Sequence, residues 1–269
     1  MKAISLLSLL VLASPLVAQN EASPAGNNSP KPELAPNQQA FLNLPEENRQ
    51  AFIKHLSEAA RLFNEKRIFE TLDELDKAAK VFDDSPEIYN LRGSCYVEIR
   101  SFDKALVAFE KAASYSKENP SIDFNVAEVF FVTKQWKKAA DLFEKILKTV
   151  PPENIALGRL MEFKILLCKK KLGLEDDVTI LAEKYDYLDD SPYYYYVKAA
   201  LAYDKKDLVT AEEWLARASR IFRDPAVISP WQDTLVEYGY IKSFYGEETA
   251  DASPAPKAGL GLGAGTNQK

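Results

Sequence analysis

The residues able to do chemistry are few and scattered. His55 is the only histidine of the 269-residue chain, and no nucleophile stands at a spacing that would pair with it for acid–base work. Acidic pairs occur at Asp83-Asp84, Asp176-Asp177 and Asp189-Asp190. Each falls at a turn or helix start, where negative charge suits the helix dipole, and none has the oxygen-ligand spacing of a calcium loop. Gly259 to Gly265 has no helix after it and so cannot cradle a phosphate. No set of residues is spaced as a metal or cofactor site. A non-enzyme is therefore expected. Aromatic contact remains: Phe124 and Phe131 in mid-chain, and a run of tyrosines from Tyr193 to Tyr196. Such rings bury well against a peptide, and tyrosine still offers its hydroxyl.

What must position these rings is a repeat. Between Pro86 and Leu147 the sequence nearly copies itself at an offset of 34 residues. Gly93 answers Ala127, Tyr96 answers Phe130, Phe102 answers Trp136, Ala105 answers Ala139, and Phe109 answers Phe143. Small residues let two helices cross closely and aromatics fill the gaps beside the crossing. Stepping back by the same period finds Ala59, Leu62, Ile68, Leu75 and Ala78. A fourth unit is irregular: a longer loop at Pro151-Pro152 shifts the register, so that Trp136 corresponds to Leu174 and Asp177 stands where alanine is expected. A fifth returns to form with Ala199, Ala202, Leu208, Ala211, Leu215 and Ala218. A last helix, from about Ser229 to Tyr245, carries an apolar stripe of Trp231, Leu235, Tyr238 and Ile241 and is expected to cap the stack.

The order of aromatics and small residues from Tyr89 to Ala112 resembles the tetratricopeptide repeat (TPR), a helix–turn–helix unit of this length. The resemblance covers about 45–245 and implies an all-α fold: an α-solenoid of about five repeats plus a C-terminal capping helix. In this register Cys95 and Cys168 lie on first helices two units apart, roughly 16–20 Å. A disulfide needs about 7 Å or less, so both are expected as buried, unpaired residues.

The ends read differently. Lys2, the apolar run Ile4 to Leu12 and the small residues up to Ala18 form a signal peptide over 1–18, too short to span a bilayer. Residues 19–43, rich in Pro and Asn, read as a disordered linker, 44–246 as the solenoid, and 247–269 as a disordered Gly/Ala/Pro-rich tail. An exported protein of the cell envelope or periplasm, or a secreted one, is expected. The formal net charge of -6 carries no basic face for nucleic acid.

In a TPR stack the first helix of each repeat lines the concave face. On that register the inward positions include Phe63, Asn90, Phe124 and Glu128, and beyond them Phe131, Tyr193, Tyr196 and Tyr203. The expected function is an exported scaffold holding a protein or peptide partner in this aromatic groove, similar to periplasmic TPR proteins of envelope biogenesis, though no lipid-anchoring cysteine is present. The alternative is a structural protein that associates with copies of itself. The protein's own N-terminal spacer is another candidate to fill the groove.

Overall fold

The computed structural model describes residues 34–116 and 119–242. The expected signal peptide, the expected linker up to residue 33 and the Gly-rich tail lie outside the described residues. Twelve helices follow, and no strand occurs among the described residues. Five antiparallel hairpins make the body: α2 (Glu46–Asn64) with α3 (Ile68–Val81), α4 (Pro86–Glu98) with α5 (Phe102–Tyr115), α6 (Pro120–Val132) with α7 (Trp136–Leu147), α8 (Ile155–Lys171) with α9 (Glu175–Ala182), and α10 (Tyr193–Asp204) with α11 (Leu208–Ile221). A short α1 (Pro36–Leu42) precedes them and α12 (Pro225–Tyr238) follows.

Local chemistry explains the boundaries. Ser85, Asn119, Asn154, Asp207 and Asp224 each cap a helix by accepting from a backbone N–H, and Pro86, Pro120 and Pro225 open the helices that follow. The turn inside each hairpin places one residue in the left-handed region. Lys66, Arg100 and Lys134 do so at the repeat period, and Lys206 does so in the fifth unit. In the fourth the position is Gly173, 39 residues after Lys134, one more than the sequence register allowed. α9 accordingly begins at Glu175, Leu174 is left exposed, and buried Val178 takes the small-residue position assigned to Asp177.

The core repeats with the sequence. Leu75, Phe109 and Phe143 are fully enclosed, as are Ala78, Ala105, Ala112, Ala139, Ala211 and Ala218. Gly93 shows how close the crossing is: a Cβ there would lie 2.4 Å from Cε1 of the Phe109 ring. That ring is enclosed and cannot swing away. Gly93→Ala is expected to lower stability by about 1 kcal/mol, because overpacking strain of roughly 1–3 kcal/mol outweighs the helix propensity gained. Urea unfolding checks this; an unchanged midpoint would contradict it.

Two expectations need correction. Residues 36–42 are not spacer but helix, because Phe41 docks on Phe52 and Phe82 with ring centroids 5.2 and 5.5 Å away. The last helix starts at Pro225, capped by Asp224, and stops at Tyr238 where Gly239 turns left-handed, so Pro230 lies inside it. Cys95 and Cys168 are both buried and unpaired, and burial pushes each thiol up to about 12. Among the described residues no helix is long and apolar enough to cross a membrane.

The concave wall and the helix that covers it

The first helices of the hairpins form the inner wall, and α8 shows that this wall is covered. Eight consecutive residues, Met161 to Cys168, are buried. A helix with one face to solvent would expose a residue every turn. The cover is α12, which packs against α6 and α8 and reaches α10 through its rings; it does not cap the stack on α11 as expected.

Trp231 sits 5.4 Å from Phe163, 5.5 Å from Tyr196 and 6.4 Å from Tyr193, centroid to centroid. Tyr238 lies 6.3 Å from Phe131 and 5.4 Å from Trp136, with Lys171 Nζ 4.5 Å over its ring. Just beyond the helix, Tyr240 stacks on Tyr203 at 5.3 Å and donates its hydroxyl to Asp204 at 2.6 Å. Leu235 is wholly buried between these anchors.

A single buried cation lies at the centre of this contact. Lys164 Nζ donates to Glu128 Oε2 of α6 at 2.8 Å and to Glu237 Oε2 of α12 at 3.4 Å, with the Phe131 ring centroid 4.7 Å away. The three side chains are 4%, 2% and 3% exposed. Burial works against the Lys164 ammonium, but the two carboxylates outweigh it and raise its pKa. Burial also raises both carboxyls, because one lysine cannot neutralise two of them.

Beside α12 a cleft of about 340 Å³ remains. Phe124, Leu157, Leu160, Val227 and Trp231 line its apolar sides, and Lys164, Asp233 and Glu237 its polar part. Burial and the nearby Glu237 push Asp233 up to about 7, with Lys164 and Lys66 pulling it down and Glu98 pushing it up. The docked helix therefore favours a proton on Asp233 that the released helix would give up. Docking is fullest below the ordinary carboxylate range and weakens as pH climbs to about 7. Arg100 lowers Glu237, and Lys164 stays charged across that window. Hydrogen exchange of α12, corrected for the intrinsic rate, should be slower at pH 5 than at pH 8; equal protection would contradict this.

Six of the eight inward positions meet here, though not as an open groove. Phe131, Tyr193 and Tyr196 are enclosed, Glu128 is paired, and Tyr203 lies under Tyr240. Phe124 alone borders the cleft from α6 as a ring, packed on Phe143 at 5.9 Å. Among the described residues, the apolar surface of this wall is buried by the chain's own C-terminal helix. Phe63 is buried at the end of α2, and Asn90 accepts from Asn125 Nδ2 at 2.9 Å. Sequence reasoning missed Lys164, Asp233 and Glu237. The available signal was a lysine inside the apolar run Phe163 to Leu167.

The other polar candidates are locally engaged. His55 Nδ1 is 2.7 Å from Glu74 Oε2. Asp83 accepts from Lys111 at 3.2 Å, Asp177 from Lys169 at 2.7 Å, and Asp189 from Arg159 at 3.0 Å.

No family model matches the chain, and no curated protein matches it. Solved structures do. PilF of Pseudomonas aeruginosa is 13% identical, with a TM-score of 0.50 over 72% of this chain and 97% of that one. YrrB, described as a TPR protein with an unusual peptide-binding site, is 22% identical, with a TM-score of 0.49 over 70% and 95%. TTC0263, a TPR protein of Thermus thermophilus, is 15% identical, with a TM-score of 0.49 over 69% and 100%. The hairpins, their turns and their period are those of a TPR solenoid.

Proposed function

On a TPR solenoid as its fold, we propose that the protein is a scaffold for a protein or peptide partner, held at the concave side, and that it works after export in the cell envelope. The carrying observation is the cleft beside α12. Its apolar sides are Phe124, Leu157 and Trp231, and Lys164, Asp233 and Glu237 form its polar part. An aromatic slot of this kind suits an inserted side chain of a bound peptide. The export signal read at residues 1–18 supports the location.

The test is recovery of partners from envelope extract by the mature chain, compared with Phe124→Ala/Leu157→Arg. Both substitutions fall on the cleft border and leave the ring cluster under Trp231 intact. Recovery should fall about tenfold or more for a lost anchor and an inserted charge, with helix content unchanged. Equal recovery would remove the cleft from the function. Self-association is the second reading, favoured by the exposed apolar side chains Ile180, Tyr187 and Leu188 on and after α9. Light scattering decides it: a monomer at high concentration rules it out.

A further inference from the structure

α12 contacts the inner wall in the manner of a bound ligand. Ile228, Trp231, Thr234, Leu235 and Tyr238 are its buried residues, with the Glu237 side chain buried beside them, the stripe by which an amphipathic helix enters a groove. It has no hairpin partner, unlike α2 to α11, and only residues 222–224 join it to α11. Pro230 inside it removes one backbone donor. It can therefore leave without opening any hairpin.

The contact is also incompletely satisfied. Glu128 Oε1, Glu237 Oε1 and the Tyr203 hydroxyl are buried with no hydrogen-bond partner in the protein, and all three lie where α12 or the residues just after it meet the wall. A permanent core pairs most such groups, although Arg92 Nε, Asn125 Oδ1 and Glu162 Oε2 in the hairpins also have no hydrogen-bond partner in the protein. A surface that trades occupants keeps them, because each is hydrated whenever the site is open. The cleft along α12 provides the place where an incoming helix first gains contact.

We infer that the wall of α6, α8 and α10 is a helix-binding site whose resident occupant is α12, and that the partner enters it as an amphipathic helix of the same chemistry. That helix carries an aromatic residue, an acid six positions on to meet Lys164, and a second aromatic one position later, as Trp231, Glu237 and Tyr238 do. The inference rests on the scaffold reading and names the class of partner.

The probe is a fluorescein-labelled peptide of residues 224–240, titrated by anisotropy with the full chain and with its Trp231→Ala/Tyr238→Ala variant. The variant, its own helix loosened, should bind the peptide at least tenfold tighter than the unaltered chain, and a Glu237→Gln peptide should bind more weakly. Equal binding by both chains, or none by a variant that keeps its hairpin helicity, would overturn the inference. Should the variant fail to fold, hydrogen exchange on the unaltered chain decides: 228–238 should exchange at least tenfold faster than α8 and α10, and exchange in step with them overturns it. A doubled mass through exchanged α12, seen by light scattering, assigns the site to a second copy and also overturns it. Failure of the peptide with partner recovery still dependent on Phe124 and Leu157 removes this inference alone and leaves the scaffold reading standing.

Discussion

Replacing Lys164 by methionine releases α12 and leaves the hairpins standing. The methionine fills nearly the same volume, so packing around Phe131 survives. What is lost is the one cation that, among the described residues, is bonded to Glu128 and Glu237. Removing one member of a buried ion pair costs about 3–5 kcal/mol, because the remaining charge stays in a poor solvent. Here two carboxylates are stranded together. The protein has an escape that a closed core lacks: undocking α12 hydrates both. The observable loss is therefore bounded by the docking energy of one helix, and it appears as exchange of 225–238 at close to the free-chain rate, with the main thermal transition retained. Adding Glu128→Gln and Glu237→Gln to the same chain should restore protection, since the cluster is then uncharged. Loss of protection that those two changes do not repair would point to packing and against charge.

Trp231→Ala is expected to release the helix by a different route. The indole touches Phe163, Tyr193 and Tyr196, and is 3% exposed. Truncating a buried tryptophan costs about 3–5 kcal/mol in transfer and cavity terms. No neighbour can collapse into the space, because the wall rings are themselves held: the Tyr193 hydroxyl donates to the Leu181 carbonyl at 2.8 Å, and Phe163 is enclosed. The same readout applies, but the glutamine changes should not rescue it. Full protection of 225–238 in Trp231→Ala would show that the indole is not the anchor.

Much of the fold was legible because a repeat writes the same contact several times. Gly93 and Ala127, or Phe109 and Phe143, report one helix crossing at two places, and the enclosed rings follow. The inner wall was legible for the same reason: Phe124, Glu128, Phe131, Tyr193, Tyr196 and Tyr203 do lie on it. Their exposure was not. The return of α12 across that wall is a non-local contact, and the stripe of Trp231, Leu235 and Tyr238 reads identically for a helix on the stack's end and one inside its curve. The turn residues were hidden too, since Lys66, Arg100, Lys134 and Lys206 carry no glycine to mark a left-handed backbone, and Gly173, which does, corrects the fourth register by one residue. Composition misled at Pro36–Leu42, where one phenylalanine outweighs a proline-rich context.

Partner binding, pH response and helix release all depend on where α12 lies. A photoreactive benzophenone side chain at the exposed position of Val227, which borders the cleft with Phe124, Ala156 and Leu157, reports this directly. Irradiation of the monomeric full chain, followed by mass mapping of the linked peptides, should give links within one molecule to α6 and to the start of α8. Links to α11 instead, or none within the molecule, would contradict the covered inner wall.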